Sequence, residues 1–546
     1  MRRILPFLIV LAFGFFSVLS LFHPGLPPTH DGEYHVVRFY EFNKTLLSGQ
    51  LYPRWAPDLN KGYGSPILNY YYQLPNYFAS FLHLLGLSFI DSFKIELILA
   101  TLFGGLLFFL WARIFWGTAG GVISSVLYIY SPYRLVDIFI RGSVGEVLAL
   151  CFFPGFLWSI TEFVKRRERK FFVFSVLLLS LVIFSHNILA YMFFSFAILY
   201  TFFILLINKV GKKTWIFSTV ILLLSIGIAG IFWVPALFER HYVQGLEIFD
   251  YKSHFPELYQ LLFPSWGTGF SNSDLGNEMS FQLGVMNLIS VFFGIASFFI
   301  LKEKNLKKTI LFFITGFSFV LFLMLKNSLF LWEYIPFLNY FQFPWRLLSL
   351  EIIITSFLGG SLWKMIVSEK SKTKGFISLV IFAICTVIVT SEYIKPAYFL
   401  ERSDDYYITE SDFIDSTNTP GNALNVVGFN SQLKRTKEKI SFISDSGVIL
   451  SEMISPTRYI FNVNLKNNTT AVIQTAYFPA WRAKTNKGKI NLTKDENGLI
   501  KIDLNSSVKS LEIFFTSTVF VKAGEFLSAF SLISLIFVYH YFRKTI

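Results

Sequence analysis

Ionisable residues gather at a few places where long apolar segments end. Between Thr29 and Pro66 the chain carries Asp31, Glu33, His35, Arg38, Arg54 and Asp58 among aromatic residues. A second group, Arg134, Asp137, Arg141 and Glu146, lies within the stretch from Tyr133 to Glu146. Arg346 stands directly behind Phe341-Gln342-Phe343-Pro344-Trp345, and His186-Asn187 sits between two apolar runs with almost no loop. The stretch 238–282 adds Glu239, Arg240, His241, His254 and Trp266, in no diagnostic spacing. A carboxylate can take a proton from an attacking hydroxyl as a general base. A guanidinium can grip a phosphate through two parallel N–H bonds. Charges at a membrane boundary are costly unless they are paired or used. Each group therefore also has a structural reading. Asp31 would cap a helix, the Arg134–Glu146 group would fix two helix ends, His186 would hold a turn, and Arg346 would anchor a span at the interface.

The elements that must position these residues follow from local pattern. Asp31 is placed to cap a helix running to about Ser48, with Gly49 in the usual stop position. In that register Asp31, His35 and Arg38 follow i, i+4, i+7 and share one face, while Val36, Val37, Tyr40 and Leu47 lie mostly on the other. That describes a helix lying on a membrane surface and, equally, an ordinary amphipathic connector. Residues 70–87 carry Gln73, Pro75, Asn76 and His83, which predicts a second surface-lying helix and not a span. Arg134, Asp137 and Arg141 follow i, i+3, i+7 and align if their helix continues, and Glu146 opens the next span.

The chain has 546 residues, 53% of them hydrophobic and 19% aromatic, with a mean hydropathy of +0.53. These values place it among polytopic membrane proteins. About twelve apolar segments of spanning length fall near 4–22, 93–115, 119–136, 146–164, 171–187, 188–207, 215–237, 283–301, 308–325, 346–367, 375–394 and 523–541. The net charge of +13 implies no nucleic acid, because the Lys and Arg residues cluster in short loops: Arg2-Arg3, Arg113, Lys165 to Lys170, Lys209 to Lys213, Lys302 to Lys308, Lys364 to Lys374 and Arg543-Lys544. By the positive-inside rule all of these face the cytoplasm, together with both termini. Every group of chemical interest then faces outward. The first span lacks a small-x-small cleavage site at His23-Pro24-Gly25 and is expected to remain uncleaved. Cys151 and Cys385 lie in apolar segments and indicate neither a disulfide framework nor a zinc site.

Three parts are expected: a transmembrane domain over 1–394, an outer β-rich domain over 395–522, and a last span with a cytoplasmic tail over 523–546. In the outer part, short alternating runs such as Arg458 to Leu465 and Leu511 onward to Val521 read as strands. Asn486-Lys487-Gly488 and Glu496-Asn497-Gly498 read as turns, giving a sandwich-like domain from roughly residue 420. No Walker-type phosphate loop, HExxH or GxSxG is present. Chemistry driven by ATP or by a cysteine-bound metal is not supported, and an activated donor arriving in the membrane fits better. The spans are nearly free of mid-span charge, which argues against a transporter.

The ordered set of motifs resembles the GT-C glycosyltransferases, multispanning enzymes that use polyprenyl-phosphate-linked sugars. More closely it is similar to the bacterial and archaeal membrane family labelled "6-pyruvoyl-tetrahydropterin synthase-related". The matching pieces are His30-Asp31 with His35 and Arg38, Gly49-x-Leu51-Tyr52-Pro53-Arg54-Trp55, Gly62-x-Gly64-x-Pro66, Pro132-Tyr133, Arg141-Gly142 with Glu146, His186-Asn187, and Phe343-Pro344-Trp345-Arg346. Tyr477-Phe478-Pro479-Ala480-Trp481 resembles the outer β-domain of a related family implicated in glycosylating cell-envelope polymers. The resemblance implies sugar transfer to an extracytoplasmic glycan, lipid or protein, with inversion. Asp31 would be the catalytic carboxylate, and Arg141 and Arg346 would bind phosphate, as would His35, Arg38 and Arg134 with phosphate or substrate. Asp137 and Glu146 would orient these groups or hold a divalent metal (Mg or Mn), and His186 and Trp266 would line the site. The second acidic motif is spread over Asp137 and Glu146 where the superfamily has a tight pair, so the metal stays open. The alternatives are a flippase for lipid-linked sugars and a non-catalytic envelope protein that binds glycans.

Overall fold

The computed structural model describes residues 4–245, 250–271, 277–368, 372–443 and 447–545. Arg2 and Arg3, and part of the basic run between Lys364 and Lys374, lie outside the described residues. So does part of the stretch 238–282. Among the described residues seven helices are long and apolar enough to cross a membrane, or eight if one bent pair is counted as a span. The helices Leu5–Ser17 and Val285–Ile300 are apolar but shorter, so the expected count of twelve is not reached by length alone. Val144–Arg166 and Pro344–Ile366 form the centre of the bundle, each with 89% of its apolar window buried, against 28% for Val519–Tyr541. The outward faces of that last helix, with Phe526, Phe530, Ile533 and Phe537 exposed, have the character of lipid-facing surface.

Three expected spans take other forms. The segments near 93–115 and 119–136 belong to one run, Phe89–Ile129, broken at Gly117, whose backbone sits at φ 74° and ψ 179°. The chain doubles back there, for Ser125 donates to the Gly105 carbonyl at 2.7 Å. Arg113 packs against Gly121 on the same hairpin. The segment near 215–237 is two helices, Lys212–Ile228 and Gly230–Phe238, bent by 64°. The last helix begins at Val519, before the expected 523.

The helix Gly32–Leu47 ends before Gly49 as expected, with Gly49 at φ 102°. It does not lie on a surface. His35, Val36, Val37, Arg38 and Phe39 are all buried: Tyr72 and Phe93 pack on His35, and Arg38 is bonded to Asn418, so both sides of the helix are covered. Nor does Asp31 cap it by its side chain; the Gly32 N–H donates to Thr29 Oγ1 at 3.1 Å. Leu74–Leu84 has only 11 residues, too short to span.

The C-terminal β-sheet domain pairs four strands in the order β1-β4-β8-β7 and five in the order β2-β3-β9-β5-β6. Here β1 is Ile440–Phe442, β2 Gly447–Ser455, β3 Arg458–Leu465, β4 Thr469–Ala476, β5 Trp481–Thr485, β6 Gly488–Ile490, β7 Thr493–Lys494, β8 Leu499–Leu504 and β9 Ser510–Phe515. Strand β3 alternates buried and exposed residues, as a half-buried strand must. The domain is fastened to the loop after Gly49. Trp55 meets Trp481 edge-on at 5.4 Å and packs on Phe515 at 5.5 Å, and the Ala476 N–H donates to the Tyr63 carbonyl at 2.8 Å. Gly64, at φ 83°, has no room for a side chain because the Trp55 indole lies over it.

Candidate functional site

The site is built where five separate segments meet at one end of the bundle. Pro132 opens a short helix to Val136, which loosens into a π-turn over Asp137–Arg141 and stops at Gly142 in the left-handed region, φ 62°. A side chain at Gly142 would collide with Thr29, so only glycine lets the two segments approach. That approach lets the His30 and Asp31 N–H groups donate to the Ile140 and Arg141 carbonyls at 2.9 and 2.8 Å. The backbone of Asp31 is thereby joined directly to that of Arg141.

Arg141 spans two carboxylates. Its Nη1 lies 2.5 Å from Asp137 Oδ1 and 2.7 Å from Glu146 Oε2, and its Nη2 donates to Glu146 Oε1 at 2.7 Å. Arg346 Nε donates to the same Glu146 Oε1 at 2.9 Å, and Arg346 Nη1 to Gln342 Oε1 at 3.0 Å. Glu146 thus carries the negative charge that two guanidinium groups share. Asp137 and Glu146 are fully enclosed, while Arg141 and Arg346 keep 6% and 5% of their surface exposed. The Trp345 ring lies 5.0 Å from the Arg141 guanidinium and 5.7 Å from that of Arg346. Burial first, and then the Glu146 charge, push the Asp137 carboxyl up to about 8.

His186 faces this cluster with its Nε2 3.7 Å from Glu146 Oε1. Its Nδ1 accepts the Leu189 N–H at 3.2 Å, so the neutral ring carries its proton on Nε2, toward Glu146. Tyr72 lies between His186, at 4.9 Å between ring centres, and His35, at 6.3 Å. The half-buried Asp31 acts electrostatically on Tyr72, Tyr34 and His30. His35 is enclosed with Nε2 unbonded, and burial holds it well below the usual histidine range. Arg38 donates to the Asn418 carbonyl at 2.7 Å and lies 4.1 Å over the Tyr71 ring.

Two expected members stand apart. Arg134 donates to Tyr128 Oη at 3.0 Å and to the Ala100 carbonyl at 3.3 Å. The helix does not continue past Val136 in α-form, so the i, i+3, i+7 alignment with Asp137 and Arg141 is lost. Trp266 stacks on Tyr393 at 4.4 Å, while its neighbours Thr268 and Phe270 reach the site through the His30 ring, at 2.8 Å and 4.5 Å. Tyr133 and Gln342, which stand inside motifs already singled out, belong to the arrangement, as do Tyr72 and Asn418, which had no sequence signal of their own. Metal ligation does not fit the two acidic residues, because N–H groups of Arg141 and Arg346 occupy three of their four oxygens. Among the described residues no three His, Cys, Asp or Glu side chains are grouped to hold an ion.

The basic residues fall at the opposite end of the same helices. Val144–Arg166 starts at the Glu146 cluster and ends in Lys165 and Arg166, where Arg166 pairs with Glu162 at 2.5 Å. Arg169 lies over Tyr539, and Lys364 pairs with Glu303 at 3.3 Å.

Residues 68–399, more than half of the chain, match the model of a family described as "6-pyruvoyl-tetrahydropterin synthase related domain; membrane protein". The matched segment holds Asp137, Arg141, Glu146, His186 and Arg346, and leaves out Asp31 and the β-sheets. An uncharacterized protein of Lactococcus lactis subsp. cremoris (strain MG1363) is 22% identical over 212 residues, covering 36% of this chain and 34% of that protein. The chain therefore spans about a third of the curated relative it matches. Arabinofuranosyltransferase AftD from Mycobacteria superposes at 14% identity and a TM-score of 0.46, over 74% of this chain and 28% of its own. The Archaeoglobus fulgidus oligosaccharyltransferase in its apo form gives 10% identity and a TM-score of 0.46, over 74% and 55%. ArnT from Cupriavidus metallidurans bound to undecaprenyl phosphate gives 12% and 0.35, over 76% and 69%.

Proposed function

The chain belongs to the 6-pyruvoyl-tetrahydropterin synthase related family of membrane proteins, and we propose that it is a GT-C-type glycosyltransferase. It moves a sugar from a polyprenyl-phosphate-linked donor to an extracytoplasmic acceptor. The observation that carries this reading is the joining of the Asp31 segment to Arg141, which shares Glu146 with Arg346. The Asp31 backbone and two guanidinium groups are then held at the end of the bundle away from the basic loops. By the positive-inside rule that end faces outward.

In this reading an acceptor hydroxyl attacks the anomeric carbon and its proton passes to Asp31. The bond from that carbon to the donor phosphate breaks, and its electron pair leaves with the polyprenyl phosphate. One displacement inverts the anomeric centre. With Asp137 pushed up to about 8 and carrying its proton at neutral pH, Arg141, Arg346 and Glu146 sum to one net positive charge, which suits a departing phosphate. Glu146 and His186 position the two arginines. Arg38 holds the Asp31 helix against Asn418, and His35 packs on its other side against Tyr72 and Phe93.

The test uses the protein in liposomes with a panel of polyprenyl-phosphate sugars, scored by release of free polyprenyl phosphate. Asp31→Asn should lower release by about 10²–10⁴-fold. Its thermal stability should be unchanged, because the Asp31 side chain caps nothing. Release by Asp31→Asn close to the parent's sinks the reading. A flippase is favoured by a different observation: Glu96 and Glu351 are enclosed within helices with no cation paired to either among the described residues, against the expectation of spans nearly free of charge. The same liposomes separate the two, since a flippase moves the donor across the bilayer and leaves it intact.

A further inference from the structure

Away from the arginine cluster a cavity of about 420 Å³ opens among Tyr251, Trp332, Glu333, Phe337, Asn339 and Tyr340. That volume lies within the range of roughly 300–1,000 Å³ typical of small-molecule sites. We infer that this cavity is a sugar-binding subsite, and that it holds a sugar ring of the acceptor. Only the assignment to the acceptor rests on the glycosyltransferase reading.

The lining has the chemistry a sugar ring needs. The exposed Phe337 and Tyr340 rings supply apolar faces for C–H groups over a floor of Trp332 and Tyr251, while Glu333, Asn339 and the phenols offer donors and acceptors for hydroxyls, the Tyr340 oxygen also accepting from Arg240 at 2.8 Å. An aromatic cage with a carboxylate would also suit a quaternary ammonium ion. Glu333, however, is already paired with Lys252 at 2.7 Å and the Arg240 guanidinium bonds Tyr340 at 2.8 Å, so no uncompensated negative charge is left in the lining for a cation and a polyol is favoured. The loop is also held in costly backbone states: Phe337 sits at φ 70° and Gln342 at φ 63°, positions that side chains rarely adopt and that cluster at functional sites. Gln342 Oε1 and the Phe341 carbonyl both accept from Arg346 Nη1, at 3.0 and 3.2 Å. The cavity wall and the proposed phosphate-binding arginine are therefore on one continuous loop.

Saturation-transfer NMR on the detergent-solubilised full chain tests this, with methyl hexopyranosides and methyl pentofuranosides as probes and choline as the contrast. At least one glycoside should bind, and Asn339→Ala and Tyr340→Phe should each weaken it by about 5–30-fold, the effect of losing 1–2 kcal/mol. Both positions are exposed, and unchanged thermal unfolding confirms that the variants fold. Asp31→Asn should bind the glycoside as the parent does, which separates this cavity from the proposed reaction centre. Failure of every glycoside, binding of choline alone, or glycoside binding insensitive to Asn339 and Tyr340 overturns the inference. Failure of donor cleavage with the glycoside result intact would overturn only the assignment to an acceptor.

Discussion

Replacing Glu146 by Gln tests whether Asp137 and Glu146 act as one unit. Glu146 receives Arg141 at both oxygens and Arg346 at Oε1, all within 2.9 Å. An amide keeps one acceptor and turns a donor toward a guanidinium, so at least one charge-assisted bond of about 1.5–3 kcal/mol is lost. Removing one partner of a buried pair costs about 3–5 kcal/mol when nothing replaces it. Here something does. The Glu146 charge is one of the two causes that push Asp137 up to about 8, and its removal lets Asp137 ionise beside Arg141 at neutral pH. We expect Glu146→Gln to cost about 2–3 kcal/mol, the lower part of those ranges. Asp137→Asn should cost under about 1 kcal/mol, since a protonated carboxyl and an amide differ little in charge. The double variant leaves two buried cations with no anion and should exceed the sum by about 1–3 kcal/mol. The readout is denaturant unfolding followed by labelling of the buried Cys151 in a Cys385→Ser background. A cycle additive to within about 0.5 kcal/mol would refute the shared-proton account.

The other predictions are more direct. Arg346→Lys keeps the charge but loses the fork that reaches Glu146 and Gln342 together, so donor use at subsaturating concentration should fall with folding intact; parental activity would leave Arg346 an anchor. Inorganic phosphate should bind more weakly as pH rises through about 8, because ionisation of Asp137 beside Glu146, Arg141 and Arg346 removes the net positive charge; calorimetric titration at pH 7 and 9 with no difference contradicts this. Gly142→Ala should break the contact with Thr29 and lower both thermal stability and donor cleavage, while the exposed Gly488→Ala should leave cleavage as it is. A reporter after Lys213 should read cytoplasm and one within 447–500 the outside; the reverse result would put Asp31 in the wrong compartment.

How much of this was legible follows from what each signal depends on. Apolar length and loop charge are local properties, and they anticipated a multispanning protein with its basic loops at the end of the helices away from the Arg141–Glu146 cluster. The pairing of Arg141 with Asp137 and Glu146 was also within reach, since all three lie within ten residues. Helix continuity was not. Whether Arg134 joins Asp137 depends on the π-turn ending at Gly142, and that turn is fixed by Thr29, more than a hundred residues away. The enclosure of Arg38 likewise comes from the segment around Asn418, and that of His35 from Tyr72 and Phe93, all distant in sequence from a helix that an amphipathic pattern read in isolation leaves facing solvent.

The motifs that looked most chemical divide by function once placed. Gly49 to Trp55, Gly62 to Pro66 and Tyr477 to Trp481 do not meet at the arginine cluster; they meet one another, with Trp55 against Trp481 and the Tyr63 carbonyl bonded to Ala476. Aromatic pairs of this kind contribute about 0.5–1.5 kcal/mol beyond the area they bury, enough to hold two bodies in register. The segment leading into the β-sheets then passes over the Asp31 helix, where Asn418 both accepts from Arg38 and donates to the Tyr34 carbonyl at 2.9 Å. That segment therefore covers the Arg38 side of the Asp31 helix. An acceptor must reach Asp31 past the loop carrying Thr268 and Phe270, which sits on His30, and that loop stands on the same outer end as the aromatic cavity.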